Sequence, residues 1–398
     1  MSEVRPPPAC DGAPDCFLVS ASCCKMGGMI QTDINQSGVD TDAASGALAE
    51  RIVASAVGAL ECHAAYLGDK LGWYDAIAAA GSVTAPELAD RTATDARYAQ
   101  EWLEHQTVSG FLAVDDASAV SSVRRYSFPP GHREVLTDRD HLAFSLPFAT
   151  ICAGFGKQLE PLVEAYRTGG GVSWQQHGDD ARQAQAAANR PMFLHRLGQE
   201  FLASMPEVRT ALERGGHLAD VGCGFGWSSI GIAMAYPDAK VDGFDVDSPS
   251  IDTARANAEA SGVSDRVTFH TVDAGAADGL GADGGYDVVI ALECIHDLSD
   301  PVGVLGTMRR LAGDKGVVLV MDEAVGHEFT GEDDVVERLM YGFSLVCCLP
   351  DGRSHTPSVA TGTVMRPATL ERYAVEAGFS GVDELPIDAD LFRFYQLR

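Results

Sequence analysis

Positive charge is scarce in this sequence. Its 398 residues carry 29 Lys and Arg against 57 Asp and Glu, a formal net charge of −28. Nucleic-acid affinity rests largely on Lys and Arg neutralising phosphates, so this balance speaks against nucleic acid as a partner and for solubility. No uninterrupted apolar run approaches the ~18 residues of a membrane span, and no membrane association is expected. The N-terminus lacks the basic stretch followed by an apolar one that marks a secretory leader. Ten cysteines are present, but not at disulfide-framework or zinc-site spacing. The expectation is a cytoplasmic chain with reduced thiols and no metal. Two nucleotide signatures are also missing. A phosphate-cradling loop would need Gly-Lys-Ser/Thr after its glycines, and a dinucleotide fingerprint would need glycine at 227, where Trp227 stands.

What is present falls into segments. Residues 1–40 read as a disordered extension, with Pro6-Pro7-Pro8 and Cys10, Cys16, Cys23 and Cys24 among small and polar residues. Met26 and Met29 are alternative starts. A second segment, 41–135, turns helical: Leu48, Ile52, Val53, Val57 and Leu60 recur at helical spacing through a stretch from Ala43 to Ala80. Thr84-Ala85-Pro86-Glu87 reads as a capping box, and a further helix runs from Asp95 to Ser109. Phe111–Val114 and Arg125–Phe128 pair as two wing strands, which completes a winged-helix pattern. Its candidate recognition helix carries Asp95, Glu101 and Glu104 against Arg97, so the domain is expected to make a homodimer rather than bind DNA. Residues 136–215 read as a helical linker or lid, broken at Gly169-Gly170-Gly171. Trp174, His177, Met192, Phe193 and His195 are candidates for the roof of a site or for plain core.

From 216 to 398 strands and helices alternate, which implies a parallel sheet covered on both faces. Strands are expected at 217–219, 240–244, 266–272, 286–292, 316–321 and 391–397. Ser248 is read as the cap of the helix after the second strand, with Pro249 as its first residue. Ligands of such sheets sit beyond the carboxyl ends of the strands. Those ends carry Asp220, Asp245, Asp273 and Glu293.

The stretch Asp220-Val221-Gly222-Cys223-Gly224-Phe225-Gly226 joins a strand to a helix. Glycines there let a ligand approach the backbone, since no Cβ intervenes. This D-x-G-x-G-x-G run resembles motif I of class I S-adenosylmethionine (SAM) methyltransferases. Asp245, ending the next strand, matches the acid that accepts the ribose hydroxyls, with Val246 after it. Asp273 and Ala274 match the pair that meets the adenine edge. The resemblance covers roughly 215–398 and implies an α/β fold: a Rossmann-like, seven-stranded methyltransferase domain behind a mainly helical winged-helix domain. It implies SAM as cofactor, S-adenosylhomocysteine as product, and Asp220, Gly222, Gly224, Gly226, Asp245, Val246, Asp273, Ala274 and Glu293 as cofactor-binding residues. The winged-helix pattern resembles that of small-molecule O-methyltransferases, where the extra domain dimerises and helps to close the site. Gly362–Pro367 and Cys347-Cys348-Leu349-Pro350 are closer to an actinobacterial branch of such enzymes.

Cys294-Ile295-His296-Asp297-Leu298-Ser299-Asp300 resembles the HDWSD motif of plant-type O-methyltransferases. The resemblance makes His296 the general base that takes the proton of an acceptor hydroxyl. Asp322 or Glu323 stands where a carboxylate orients that histidine, whereas Met365, before Arg366, stands where a second acid is expected. The acceptor is a small molecule, aromatic or polyketide-like, reached by oxygen, nitrogen or carbon. Two other readings stay open: a SAM-binding winged-helix regulator, and thiolate chemistry at Cys223, Cys294, Cys347 and Cys348. Met340, Tyr341 and Phe343, and the loop Arg353-Ser354-His355, are candidate acceptor contacts.

Overall fold

The computed structural model describes residues 41–275 and 285–398. The reading of 1–40 as an extension, with its four cysteines, falls outside the described residues. The chain divides into two compact units, Met1–Ala54 and Ser55–Arg398. In the first, the described residues 41–54 are helical and exposed throughout. They begin α1 (Thr41–Lys70). This helix contains an 18-residue window of mean hydropathy 1.3 with at most two charged residues, long and apolar enough by composition to cross a membrane. Charges at Glu50, Arg51, Glu61 and Asp69 still interrupt the helix, so no uninterrupted apolar run of that length is present in it. The average is carried by small residues, since alanine and glycine read as apolar while burying little.

In the second unit, α1 ends at Lys70 and α2 (Trp73–Ala80) follows the left-handed Gly72, so the helical stretch expected over 43–80 is two helices. Then come α3 (Ala85–Thr92) and α4 (Ala96–Val108). The capping box opening α3 is present in both directions: Thr84 Oγ1 accepts from Glu87 N at 3.3 Å, and Glu87 Oε2 from Thr84 N at 3.0 Å. Asp95 caps α4. Strands β1 (Ala113–Val114) and β2 (Tyr126–Ser127) pair antiparallel as the wing. Trp73, Tyr74, Ile77, Leu88 and Trp102 fill this domain's own core.

After α5 (His132–Leu136), residues 136–215 carry α6 (Leu146–Gly156), α7 (Leu159–Thr168), α8 (Trp174–Met192), a π-helical run Phe193–Phe201 and α9 (Pro206–Glu213), so this stretch is mostly helical. Gly169, left-handed, ends α7, and Gly178 kinks α8.

The last part alternates β3 (His217–Val221), α10 (Trp227–Ala235), β4 (Lys240–Asp245), α11 (Ser248–Ala260), β5 (Val267–Thr271), β6 (Val288–Leu292), α12 (Pro301–Ala312) and β7 (Val317–Glu323). Helices α13 (Val335–Phe343), α14 (Leu349–Arg353) and α15 (Pro367–Glu376) follow, then β8 (Val382–Glu384) and β9 (Phe392–Leu397). The described strands form one seven-stranded sheet in the order β5-β4-β3-β6-β7-β9-β8, parallel except for β9, which runs antiparallel to both neighbours. Buried clusters cover both faces. Two local expectations shift. Asp247, not Ser248, caps α11, its carboxylate accepting from Ser250 N at 3.2 Å. Strand β7 runs on to Glu323, so the two acids expected after it lie at its end. The short β8 carries too little pattern to be foreseen.

Candidate active site

The strand order reverses between β3 and β6, and this is where a doubly wound sheet opens a crevice. The glycine loop lies there. Gly222, Gly224 and Gly226 all have positive φ, at 77°, 51° and 77°. At two of them space is also decisive. A Cβ on Gly222 would stand 2.7 Å from Cys294 Sγ, and one on Gly226 would stand 2.4 Å from the Phe269 ring. The loop is tied to the sheet: Gly222 N and Cys223 N donate to Phe244 O at 2.8 and 3.1 Å. Asp220 is buried beneath it and accepts from the Ser228 and Ser229 hydroxyls, both at 2.6 Å. Burial pushes the Asp220 carboxyl up to about 6 against those two bonds. It fastens the start of α10 and does not line the cavity.

Asp245 faces the loop from the end of β4. Its Oδ2 accepts from Gly224 N at 2.9 Å and its Oδ1 from Asp247 N at 2.8 Å. Burial holds its carboxyl above the usual range, against these backbone donors. Asp247 in turn meets Arg182 of α8 at 3.1 Å, both nearly buried. Glu293, just past β6, has the left-handed φ of 54°. Asn189 of α8 donates to its Oε2 at 3.1 Å, while Oε1 is buried without a partner. Burial pushes this carboxyl up to about 8, so it is largely protonated at neutral pH.

Next to Glu293, a short turn of 3-10 helix, Ile295–Asp297, carries His296, which is 3% exposed. Its Nδ1 lies 2.8 Å from Asp322 Oδ1 and 3.0 Å from Glu323 Oε2, and its Nε2 lies 3.3 Å from Asp297 Oδ1. Burial alone would favour the neutral ring. The carboxylates of Asp297, Asp322 and Glu323 outweigh it and hold the imidazole well above its ordinary pKa. Burial also opposes ionisation of both acids on β7. The nearby imidazole overcomes it at Asp322, whose carboxyl lies below the usual range. Burial prevails at Glu323, whose carboxyl lies well above it.

These groups share one crevice. A smaller cavity of about 130 Å³ is walled by Arg182, Gln185, Asn189, Gly224, Trp227 and Asp245. A larger one of about 410 Å³ shares Trp174, Gly222, Asp245 and Glu293 with it and runs on to His296 and Asp297. Its far wall is apolar: Phe148, Ile151, Phe155, Leu339, Met340 and Phe343.

The structure thus brings Gly222, Gly224, Asp245, Val246, Glu293, His296 and Glu323 to one cavity, with Asp322 directly behind the histidine. It leaves others off its walls. Gly226 caps α10, and Asp273 accepts from Gly275 N at 2.8 Å beside Ala274, at the edge of the described residues. Of the proposed roof, Trp174 and Phe193 line the cavities. His177 packs on Phe155 with its pKa pushed down to about 4 by burial. His195 is exposed, and Met192 packs against the main core. Met365 is core, and Arg366 pairs with Glu337 at 2.5 Å, so both acids at His296 Nδ1 come from β7. Tyr341 contacts Arg366, Arg353 donates to Gly169 O, and His355 reaches the larger cavity. Arg182, Gln185 and Asn189 were missed. A signal existed, since spacings of three and four place them on one face of α8.

The reversed-centre parallel sheet with its antiparallel β9, the glycine loop and Asp245 define a class I SAM-dependent methyltransferase domain, behind a winged helix-turn-helix domain. Comparison with known proteins agrees. Residues 212–353 match the methyltransferase domain family, and residues 58–138 match the Rv2258c-like winged HTH domain. Ajmaline N-methyltransferase of Rauvolfia serpentina is 29% identical over 105 residues, 26% of this chain and 35% of that enzyme. The chain thus spans about a third of that relative's length. Among solved structures, the mitomycin 7-O-methyltransferase MmcR superposes with a TM-score of 0.65 at 20% identity, over 90% of this chain and 99% of that one. The O-methyltransferase NcsB1 from neocarzinostatin biosynthesis, in complex with SAM and 2-hydroxy-5-methyl naphthoic acid, gives 0.57 at 21% identity over 85% and 95%. At such identities the likeness is one of fold.

Proposed function

We propose that this protein transfers the methyl group of SAM to a small-molecule acceptor, most simply to an aromatic or polyketide-like hydroxyl, with His296 as general base. The carrying observation is the continuity of the crevice. A glycine loop with Asp245 at one end opens into an apolar chamber at the other, and His296 sits between them. The donor brings its own reactive sulfonium, so the chain's work is alignment and removal of one proton. An acceptor seated against Phe148, Phe155 and Phe343 would present its hydroxyl beside Nε2. Asp322, at Nδ1, would fix the ring and stabilise the imidazolium. Amine or carbon acceptors aligned without a base belong to the same reading. Incubation with SAM and a panel of phenols and amines tests it, with the methylated atom read by mass spectrometry and NMR. SAM that binds without any turnover to S-adenosylhomocysteine across the panel would favour the regulator instead.

A base must be neutral to act. Because three carboxyl groups hold the imidazole well above its ordinary value, the single-turnover rate should climb with pH through a midpoint above about 6.5. Asp297→Asn removes the carboxylate nearest Nε2 and should move that midpoint down. A flat profile, or an unmoved midpoint in the variant, contradicts the assignment.

We also infer a homodimer formed through the first domain. Helix α1 exposes Leu48, Ile52, Val53 and Leu60, each by more than 60%. Such a stripe is unusual for a helix that meets only water. Replacing Leu48, Ile52 and Leu60 together by Asp in the full chain should give a monomer in light scattering with SAM affinity retained. A persisting dimer would place the interface elsewhere. A cytoplasmic setting suits the free thiols of the described cysteines.

A further inference from the structure

His296 has a second set of neighbours. Its Nδ1 is committed to Asp322 and Glu323, while the other face of the ring meets Asp297 and Cys348. One ligand atom from each of His296, Asp297 and Cys348 lies within 4.8 Å of the other two. The three side chains come from the turn after β6 and from the π-helical run Ser344–Cys348 after α13, and all three line the large cavity. Asp297 Oδ1 is shielded from solvent, and it faces His296 Nε2, another donor of the set, at 3.3 Å. The arrangement behind the ring also matters. An imidazole that ligates a metal through one nitrogen is typically held at the other by a carboxylate, which fixes its tautomer and orientation. Asp322 and Glu323 are placed to do that.

We infer that His296 Nε2, the Asp297 carboxylate and Cys348 Sγ form a site for a thiophilic divalent cation of the zinc class, open on its fourth side to the acceptor chamber. Donor chemistry selects the cation. Magnesium and calcium take oxygen ligands, whereas one thiolate, one imidazole and one carboxylate suit zinc. Zinc bonds of about 2.0–2.3 Å to such donors require ligand atoms somewhat closer than the 4.8 Å limit, a gap that side-chain rotation covers. Binding displaces the thiol proton of Cys348 and the Nε2 proton of the imidazolium to solvent, so affinity rises with pH.

This has a consequence that rests on the function proposed above. A metal on Nε2 occupies the lone pair that would take the acceptor's proton. Zinc should therefore silence methyl transfer, and a chelator should restore it.

The test uses the reduced full-length protein. Cobalt(II) serves as the spectroscopic probe and zinc(II) in equilibrium dialysis as the thermodynamic one. We expect one cation per chain and a sulfur-to-cobalt charge-transfer band in the near ultraviolet. Cys348→Ser and His296→Gln should each abolish the band and weaken zinc binding at least tenfold, whereas Cys152→Ser, at an exposed thiol, should leave both intact. SAM affinity and circular dichroism check that the variants fold. A band that survives in Cys348→Ser, or unchanged zinc affinity in both site variants, overturns the site. The two readings fail separately. Wild-type transfer by metal-free His296→Gln would remove the base and leave the metal site standing, and absence of the cobalt band would do the reverse.

Discussion

His296→Gln should slow single-turnover methyl transfer by a factor of about 10² to 10⁴, the usual contribution of a positioned base, while SAM affinity stays within a few-fold of wild type. That factor corresponds to about 3–5 kcal/mol of barrier. Glutamine keeps a polar side chain of similar reach, and its amide can donate to Asp322 Oδ1 in place of Nδ1, now at 2.8 Å. It cannot take a proton at neutral pH. The effect should therefore fall on the chemical step. The two acids behind the ring should rank. Asp322 lies closer, and the imidazole holds its carboxyl below the usual range while burial holds that of Glu323 above it, so Asp322→Asn should cost more rate than Glu323→Gln. Both should cost less than loss of the ring itself. Because His296 is a buried cation among carboxyl groups, the variant should also raise the pKa of Asp322, whose low value the imidazole sustains. Circular dichroism and melting temperature separate that structural effect from the kinetic one. Saturating SAM and a hydroxyl acceptor are needed, since an amine or preformed anion calls only for alignment. Wild-type-like transfer to a hydroxyl would reduce His296 to a structural residue.

Much of this site was legible because its parts are local. The glycine loop, Asp245 and the His296 turn each sit within a few residues of a strand end, and a strand followed by a turn writes its pattern into contiguous sequence. The capping box at Thr84 and Glu87 is legible for the same reason. Other parts depend on packing between distant segments. Asn189 becomes a neighbour of Glu293 only when α8 lies across the sheet. Cys348 meets His296 only because the chain passes back over the strand ends through a π-helical turn, whose geometry departs from the 3.6-residue period. His195 needs no such departure: two residues after the cavity-lining Phe193 is about 200° round a helix, and it faces solvent. The choice between Asp322 and Glu323 had no basis in an ordinary strand, where neighbours point to opposite faces. Strand β7 reaches both, and its last residues bring both acids to one ring.

Asp245→Ala should weaken SAM binding by roughly 1.5–3 kcal/mol, the range for hydrogen bonds to charged groups, or about one to two decades in Kd. Two losses combine. The ribose hydroxyls would lose their acceptor, and the loop would lose its tie, because Asp245 already accepts from Gly224 N and Asp247 N at 2.9 and 2.8 Å. Those bonds do not exhaust the carboxylate, since each oxygen has a second lone pair. Asp245→Asn separates the contributions. It keeps one carbonyl oxygen for the loop but offers the ribose a weaker, neutral partner, so its affinity should fall between wild type and Ala. The acid also sets a pH dependence. Its carboxyl sits above the usual range through burial, and hydroxyl donors from the ribose favour the ionised form. SAM should therefore bind less tightly as pH falls through that raised value, and its binding should release protons. Calorimetry in two buffers of different ionisation enthalpy reads the affinity and the proton count together. Unchanged SAM affinity in a folded Asp245→Ala protein would remove this crevice as the cofactor site, and with it the alignment on which the proposed transfer depends.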